Sequence, residues 1–115
     1  MANAITGIDH GLVGVRDLEA ARTNWERLGF TITPRGQHVG WGTANYCIMF
    51  DNDYLELIGL VDPPLPSQSL EAALKKHEGL FGVALASDDA RETHAALSEA
   101  GLDPEDISDL SRRVE

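Results

Sequence analysis

The sequence ITGIDHGLVGVRDLEAARTNWERLG, residues 5–29, contains the change of periodicity that decides the fold. Apolar and β-branched side chains alternate with other residues over positions 5–15, as they do along the two faces of a strand. Asp17 then supplies a helix N-cap, and apolar residues follow at three- and four-residue spacing up to Gly29, a residue type common at helix C-terminal caps. The stretch therefore predicts one strand followed directly by one amphipathic helix.

Three further strands are predicted after this helix. Residues 30–33 form a short β-rich run that ends at a Pro-Arg-Gly turn, and a glycine-rich loop follows. Residues 43–50 and 54–60 are rich in apolar and β-forming side chains, and they flank an Asp-Asn-Asp sequence that is typical of a hairpin turn. Residues 1–61 are therefore expected to form one βαβββ unit.

The rest of the chain predicts only part of a second unit. Residues 62–79 begin with a proline-rich linker, which cannot continue a sheet, and end in a short helix. Residues 80–102 repeat the strand, the Asp cap and the amphipathic helix of the first unit when Asp17 is aligned with Asp88. The acidic residues 103–115 do not repeat the later strands, so we expect a loop or a disordered tail there.

Length and charge limit the classes of protein to consider. A chain of 115 residues with 43% hydrophobic residues is large enough for one domain with a packed core. Its 19 acidic and 9 basic residues leave a formal charge of −10, which argues against binding to nucleic acid or to an anionic membrane surface. The single cysteine, Cys47, cannot form an intramolecular disulfide, and no segment has the pattern of a signal peptide or a membrane span. We therefore expect a cytoplasmic protein.

Two polar residues lie among apolar neighbours on the predicted strands. Alternation places Glu56 on the same side as Tyr54 and Ile58, and it places His10 on an equally apolar side of the first strand. Each needs a partner if it is buried, because an unpaired buried charge is strongly destabilising. A divalent ion such as Zn²⁺, Fe²⁺, Mn²⁺ or Ni²⁺ would satisfy both. The alternative is an arginine or backbone amides for the carboxylate and a carbonyl for the imidazole.

A second concentration of functional side chains lies in residues 37–45. Glycines in this loop allow a close approach of the backbone, and His38, Trp41, Thr43 and Asn45 are able to recognise a small polar ligand or to supply another metal ligand. The alternative is structural: the threonine and the asparagine cap the hairpin, and the tryptophan packs. The loop therefore predicts either part of a binding site or a hairpin connection.

The order of these motifs resembles a known superfamily. Three segments resemble the opening of a vicinal oxygen chelate (VOC) domain: IDH at residues 8–10, VGVRDLEAA at 13–21 and WERLGF at 25–30. Three further features resemble, more narrowly, the glyoxalase-like branch of that superfamily: His38, GTAN at residues 42–45 and YLELI at 54–58. The likeness extends over about residues 5–102. It implies an α+β fold in which a βαβββ glyoxalase-like unit, a mostly antiparallel curved sheet with a flanking helix, is joined by a partial second unit. Such units pair into a half-open barrel around a metal or ligand site.

The resemblance also implies the roles of individual residues. It assigns His10 and Glu56 as metal ligands. If a metal binds there, we expect Glu56 and His38 to be the catalytic residues, and Asn45, Trp41 and Thr43 of the loop to bind the substrate. The implied cofactor is a divalent ion, which would be Zn, Fe, Mn or Ni. In the internal repeat His10 is aligned with Phe81, which cannot bind a metal. A third ligand would then be His38 or would come from another subunit, or else the site is a ligand pocket without metal.

Three functions are compatible with this resemblance. The first is a metal-dependent lyase, isomerase or dioxygenase acting on a small substrate with adjacent oxygens. The second is metal-free small-molecule binding, as in bleomycin resistance proteins of the same fold. The third is an interaction domain whose open sheet edge pairs with a second copy. All three favour a homodimer, with a small molecule as the ligand and no nucleic acid or membrane as a partner.

Overall fold

Six strands and three helices make up the described part of the chain, which is residues 4–67 and 69–115 of a computed structural model. In chain order they are β1 (Ile5–Val15), α1 (Leu18–Arg27), β2 (Gly36–His38), β3 (Thr43–Met49), β4 (Tyr54–Leu60), α2 (Leu70–Lys76), β5 (Gly79–Ser87), α3 (Ala90–Glu99) and β6 (Arg112–Val114). The expected strand over residues 5–15 and the expected hairpin partner over residues 54–60 are confirmed at both ends.

All six strands join one sheet, in the order β5-β1-β4-β3-β2-β6. Strands β1 and β4 are parallel, and every other neighbouring pair is antiparallel. A mostly antiparallel, curved sheet with helices beside it confirms the expected α+β class and its βαβββ unit. The strand of the second unit, β5, pairs directly with β1, so the two units meet at the strand that carries His10.

Helix α1 forms where its capping residues predict it. The side chain of Asp17 accepts a hydrogen bond from the backbone amide of Ala20, and Gly29 follows the helix with a φ of 103°, in the left-handed region. Leu18 at the start of α1 approaches Gly59 so closely that a Cβ atom on this glycine would lie 2.9 Å from the leucine Cβ. The absence of a side chain at Gly59 therefore lets the helix lie flat on the sheet.

The two faces of the sheet differ in chemistry. The face under α1 is the hydrophobic core, whose buried members are Val15, Leu18, Ala44, Tyr46, Ile48 and Leu57. The opposite face carries the alternate residues of the same strands, and several of its polar side chains are as deeply buried as the core: Thr43, Asn45 and Glu56. Burial on both faces leaves polar groups in positions where they must find partners.

The expected strand over residues 30–33 is wrong, and the strand begins at Gly36 instead. Thr33 does lie beside β3, since its backbone amide donates to the carbonyl of Cys47 at 3.0 Å and its hydroxyl accepts from the Cys47 amide at 2.9 Å. A side-chain hydroxyl thus replaces a backbone carbonyl, and the following Pro34 has no N–H to continue a ladder. The strand β2, Gly36–His38, occupies what we expected to be a turn and a loop.

The C-terminal tail also departs from the expectation of a loop or a disordered segment. Residues 102–111 contain no regular element, but β6 then pairs with β2 in antiparallel register. Backbone hydrogen bonds from Val39 to Ser111 and from Glu115 to Arg35, both 2.9 Å long, extend this pairing on either side. Strand β2 is therefore held by a partner from far along the chain. The division of the chain at residues 61, 79 and 102 stays a prediction.

Strand β5 is followed by helix α3. Helix α3 begins at an aspartate cap, because the Asp89 side chain accepts from the amides of Arg91 and Glu92, one residue after the Asp88 that the repeat aligns with Asp17. None of its described residues is buried. Within the described chain, β5 has a neighbour on one edge only. No helix in residues 4–67 and 69–115 is long and apolar enough to cross a membrane.

Candidate functional site

A pocket of about 260 Å³ lies on the face of the sheet opposite α1. Its lining consists of His10, Leu12, His38, Trp41, Thr43, Glu56, Ile58, Ser67, Ala84 and Leu110. A larger hollow of about 540 Å³ lies between α2 and β5, but no carboxylate lines it, and a single histidine, His77, is the only imidazole there. The smaller pocket is therefore the place where groups able to carry chemistry converge.

Glu56 is at the centre of this pocket. It lies on β4, where the register places it opposite Cys47 of β3 and Leu12 of β1, and only 5% of its surface is exposed. Its Oε1 atom is 3.2 Å from Nε2 of His10, and its Oε2 atom is 3.3 Å from Nε2 of His38. The carboxylate therefore lies between two imidazoles.

The imidazole of His10 is fixed on its far side as well. Its Nδ1 atom is 2.7 Å from a carboxylate oxygen of Asp9, and its ring stacks on Tyr54 with 4.4 Å between the ring centroids. A carboxylate oxygen can only accept, so this contact requires the proton on Nδ1. Nε2 of neutral His10 is then an acceptor, and it faces an acceptor oxygen of Glu56. A cation, either a proton or a metal ion, is needed between these two atoms.

His38 has a different environment from that of His10. Strand β2 and the turn after it bring its Nδ1 atom within 2.8 Å of the hydroxyl of Thr43. A hydroxyl can donate as well as accept, so neutral His38 can accept at Nδ1 and donate from Nε2 to Glu56. This imidazole is thus able to satisfy both contacts without an additional cation.

Asn45 approaches Glu56 from the neighbouring strand. Its side-chain amide donates to Oε2 of the carboxylate at 2.7 Å and lies 3.4 Å from Nε2 of His38. The amide oxygen accepts a hydrogen bond from Nε of Arg112 at 2.9 Å. Asn45 and Thr43 both lie within β3, and their side chains contact Glu56 and His38 rather than capping the hairpin.

These contacts decide the ionisation of Glu56. Burial by itself would raise its pKa, but the hydrogen bonds from His38 and Asn45, together with the charges of His38 and His10, outweigh burial and lower the pKa of this carboxyl below its ordinary value. Burial raises the pKa of the neighbouring Cys47 thiol, which Glu56 raises further. The centre of the site is thus a buried carboxylate beside a buried thiol whose pKa is raised.

The residues that the sequence singled out are mostly brought together. His10, His38, Trp41, Thr43 and Glu56 all line the pocket. Asn45 contacts Glu56 and His38 but lines an adjacent hollow of about 260 Å³. Their roles as ligands, catalytic residues or substrate-binding residues stay predictions.

Two residues of β5 are related to His10, one by the repeat alignment and the other by pairing in the sheet. Aligning the two units places Phe81 at the equivalent of His10, whereas the residue opposite His10 in the sheet is Ala84. Ala84 lines the pocket, and Phe81 does not. Neither side chain can bind a metal, so β5 adds no ligand to the site.

Sequence reasoning missed several contributors to the site, including Asp9, Arg112 and Leu110. Asp9 directly precedes His10 in the sequence, and a carboxylate next to a histidine is able to orient its ring. Arg112 and Leu110 come from the tail, which had been expected to be a loop or disordered. No local pattern in the tail indicates that it returns to the first unit.

The pair formed by His10 and Glu56 is compatible with a shared metal ion. Two ligands about 2.1 Å from one ion lie about 3.0–3.4 Å apart for octahedral to tetrahedral angles. The observed 3.2 Å between Nε2 and Oε1 fits this range. Across residues 4–67 and 69–115, however, no group of three or more His, Cys, Asp or Glu side chains is arranged to hold a metal. Further ligands would have to come from elsewhere, such as water, substrate or a second subunit.

Comparison with solved structures identifies proteins of similar fold. A methylmalonyl-CoA epimerase from Mycobacterium tuberculosis superposes with a TM-score of 0.71 at 19% identity, covering 88% of this chain and 68% of that one. A methylmalonyl-CoA epimerase in complex with methylmalonyl-CoA and NH4+ gives 0.72 at 20% identity, covering 84% and 71%. A hypothetical protein from Bacillus halodurans gives 0.70 at 16% identity, covering 82% and 67%. At these identities the likeness establishes the fold.

Comparison at the level of sequence establishes the family. No curated protein matches the chain. The profile of the glyoxalase-like domain family matches residues 8–115, from within β1 to the C-terminal tail. The expected resemblance to the glyoxalase-like branch of the VOC superfamily is therefore confirmed. This chain belongs to the glyoxalase-like domain family.

Proposed function

We propose that the pocket over Glu56 binds a small molecule with two adjacent oxygens and acts on it as a lyase or an isomerase. The observation that carries this proposal is the pair of acceptor atoms, Nε2 of His10 and Oε1 of Glu56, that face each other at 3.2 Å. Such a pair favours a divalent ion (Zn, Fe, Mn or Ni) held by these two residues. The structural neighbours named as epimerases, which are isomerases, support the reaction class.

The chemistry that a divalent ion at this pair supplies is polarisation of the two substrate oxygens. Glu56 suits the role of ligand because its lowered pKa keeps it ionised. Asp9 holds the His10 ring so that Nε2 points at the carboxylate. Proton transfer and substrate orientation are assigned to other side chains of the site.

We assign proton transfer to His38. Thr43 holds its Nδ1 atom, so Nε2, which lies 3.3 Å from Oε2 of Glu56, is the atom that would give or take a proton at the pocket. The hydroxyl of Thr43 contacts His38, and the amide of Asn45 donates to Glu56. Both groups therefore contribute to substrate binding mainly by orienting these two side chains. Trp41 lines the pocket and offers an aromatic surface for the substrate.

A second candidate is metal-free binding of a small amphipathic molecule, as in resistance-type proteins. Two observations favour it. The described residues supply no set of three metal-binding side chains. In addition, four aliphatic residues line the pocket beside Trp41: Leu12, Ile58, Ala84 and Leu110. A dioxygenase reaction is a third possibility that the same pair of ligands would serve.

Metal analysis separates these candidates. Protein purified without chelator is analysed for bound metal by mass spectrometry, in the wild type and in His10→Ala and Glu56→Gln. The proposal expects bound Zn, Fe, Mn or Ni in the wild type and its loss from both variants. His77→Ala removes an imidazole that is not part of the pocket and is the matched control. A wild type that neither contains nor takes up any of the four metals contradicts the proposal.

Fluorescence tests the binding alternative. The chain has two tryptophans, and Trp25 packs on Phe30 beside the core. In a Trp25→Phe background the remaining emission comes from Trp41 in the pocket. A response to small aromatic ligands in metal-free protein, without turnover, supports binding alone.

We also propose that the protein forms a homodimer. Strand β5 has an open edge within the described chain, and Leu80, Val83 and Leu85 on it are more than half exposed. An open edge with apolar side chains invites pairing with the same edge of a second copy. Sedimentation at micromolar concentration tests this, and a monomer throughout would contradict it.

A further inference from the structure

The tail contributes one charged side chain to the site, that of Arg112. In the β2–β6 register Arg112 is paired with His38, and in the β2–β3 register Gly36 is paired with Asn45. The arginine side chain therefore crosses β2 to reach Asn45 on β3. It passes directly over Gly36, where any Cβ atom would overlap the guanidinium at Nε. The lack of a side chain at Gly36 thus makes this crossing possible.

The contact with Arg112 fixes which way the amide of Asn45 points. A guanidinium has donors only, so the atom of Asn45 that lies 2.9 Å from Nε must be the amide oxygen. The amide nitrogen then points the other way and donates to Oε2 of Glu56 at 2.7 Å. If the amide turned over, two oxygens would face each other across this short distance.

We propose that Arg112 is a positioning residue, which acts through Asn45 to hold the carboxylate of Glu56 in its place between the two imidazoles. The C-terminal strand β6 is by this means coupled to the pocket. The effect on metal binding or turnover rests on the proposed function, but the orientation of the amide does not. The competing view is that Arg112 merely anchors β6 to β2.

A variant set distinguishes positioning from anchoring. Arg112→Ala removes the donor, whereas Arg112→Lys keeps a donor that can still face the amide oxygen. Arg113→Ala is the matched control, because this neighbour is paired with Gln37 on the same strand and has no contact with the site in the described structure. All three variants are compared with wild type in the absence of metal and ligand.

The main readout is the side-chain amide of Asn45, observed by NMR with ¹⁵N-labelled asparagine and assigned by its loss in Asn45→Ser. We expect a well-resolved pair of signals, shifted by the carboxylate, in wild type, Arg112→Lys and Arg113→Ala. In Arg112→Ala we expect them to move to the position of a solvent-exposed amide. Hydrogen exchange at the backbone amides of Val39 and Glu115 shows at the same time whether β6 stays paired.

Three outcomes are informative. Loss of the Asn45 signature in Arg112→Ala with β6 still protected, and its retention in Arg112→Lys, supports positioning. An unchanged signature in Arg112→Ala overturns it. A third result also overturns the positioning role: Arg112→Ala and Arg113→Ala lose the Asn45 signature equally, and both lose the hydrogen-exchange protection of β6 equally. Arg112 would then act only by anchoring the strand.

The functional consequence is measured separately as metal affinity. Removal of a group that orients a metal ligand typically weakens binding about 10- to 100-fold, and we expect a loss in this range for Arg112→Ala. If wild-type protein binds none of the four metals, the proposed function fails, while the amide signals still decide the role of Arg112. If Arg112→Ala loses the Asn45 amide signature but binds metal as tightly as wild type, Arg112 has a structural role only. This result overturns the coupling of β6 to the site.

Discussion

The imidazole of His10 lies between two carboxylates: Asp9 is 2.7 Å from its Nδ1 atom, and Glu56 is 3.2 Å from its Nε2 atom. One imidazole can satisfy both acceptors by carrying two protons, or it can donate to the first and bind a metal ion shared with the second. Both solutions place a positive charge beside Glu56, in agreement with the lowered pKa of that carboxyl.

Removal of Asp9 is expected to weaken metal binding without unfolding the protein. Asp9 is half exposed, so Asp9→Ala leaves the core intact, but the His10 ring loses the group that orients it. We expect affinity for a divalent ion to fall by about 10- to 100-fold in calorimetric titration. Asp106→Ala makes the same change of charge in the exposed tail and should leave affinity unchanged. Equal affinities in all three proteins would show that Asp9 has no such role.

Glu56 is expected to make stability depend on pH in the acid range. Its pKa is lower in the folded state than the ordinary value of about 4.3, so its contribution is fully present above that value. The contribution is then lost as pH falls through the folded-state pKa. We expect Glu56→Gln to be less stable than wild type by about 1–3 kcal/mol at pH 7, and the gap to narrow below pH ~4.

Urea unfolding at a series of pH values measures this gap. Glu71→Gln, a change at an exposed carboxylate in the first turn of α2, is the matched control and should show little difference from wild type at any pH. A gap between wild type and Glu56→Gln that stays constant down to pH ~3 would mean that Glu56 is not held ionised by its neighbours.

The contact between Gly59 and Leu18 predicts a stability effect on the other face of the sheet. A Cβ atom at Gly59 would meet the leucine Cβ at 2.9 Å, and neither α1 nor β4 can easily move apart. We expect Gly59→Ala to lose about 1–3 kcal/mol of unfolding free energy. In Gly82→Ala the new atom meets the flexible end of Leu12 at 3.3 Å, so a smaller loss is expected. The opposite order in thermal or urea unfolding would contradict this packing.

Tyr54 is expected to keep its proton in strongly alkaline solution. Burial, first, and the charge of Asp9, second, raise its pKa to about 12. At pH 11 only about a tenth of this phenol should be ionised, against most of an ordinary tyrosine. The ring-carbon NMR signals of Tyr54 report the titration, and Asp9→Ala should shift it to lower pH. A midpoint near 10 in wild type would mean that the ring is solvated.

The sequence predicts most accurately what local pattern and burial control. Alternation and capping place β1, α1 and α3 within a residue or so, because each signal lies inside the element that it specifies. The same alternation identifies Glu56 and His10, since a polar residue on an apolar face is visible without any knowledge of the fold.

What the sequence could not predict depends on contacts between distant residues. Residues 30–33 have strand propensity, yet β2 forms at Gly36–His38, where β6 supplies a second neighbour. Propensity is a weak guide when tertiary pairing decides. For the same reason Arg112 could not be assigned to the site, because 67 positions separate it from Asn45.

The pairing of β1 with β5 affects how this site can change during evolution or redesign. Ala84 is opposite His10 and lines the same pocket, and only a methyl group stands at this position. Replacement by histidine or glutamate would add a metal-binding group next to His10 without disturbing the core under α1. Ala84 is therefore the position on β5 from which a metal-binding side chain would face the pocket.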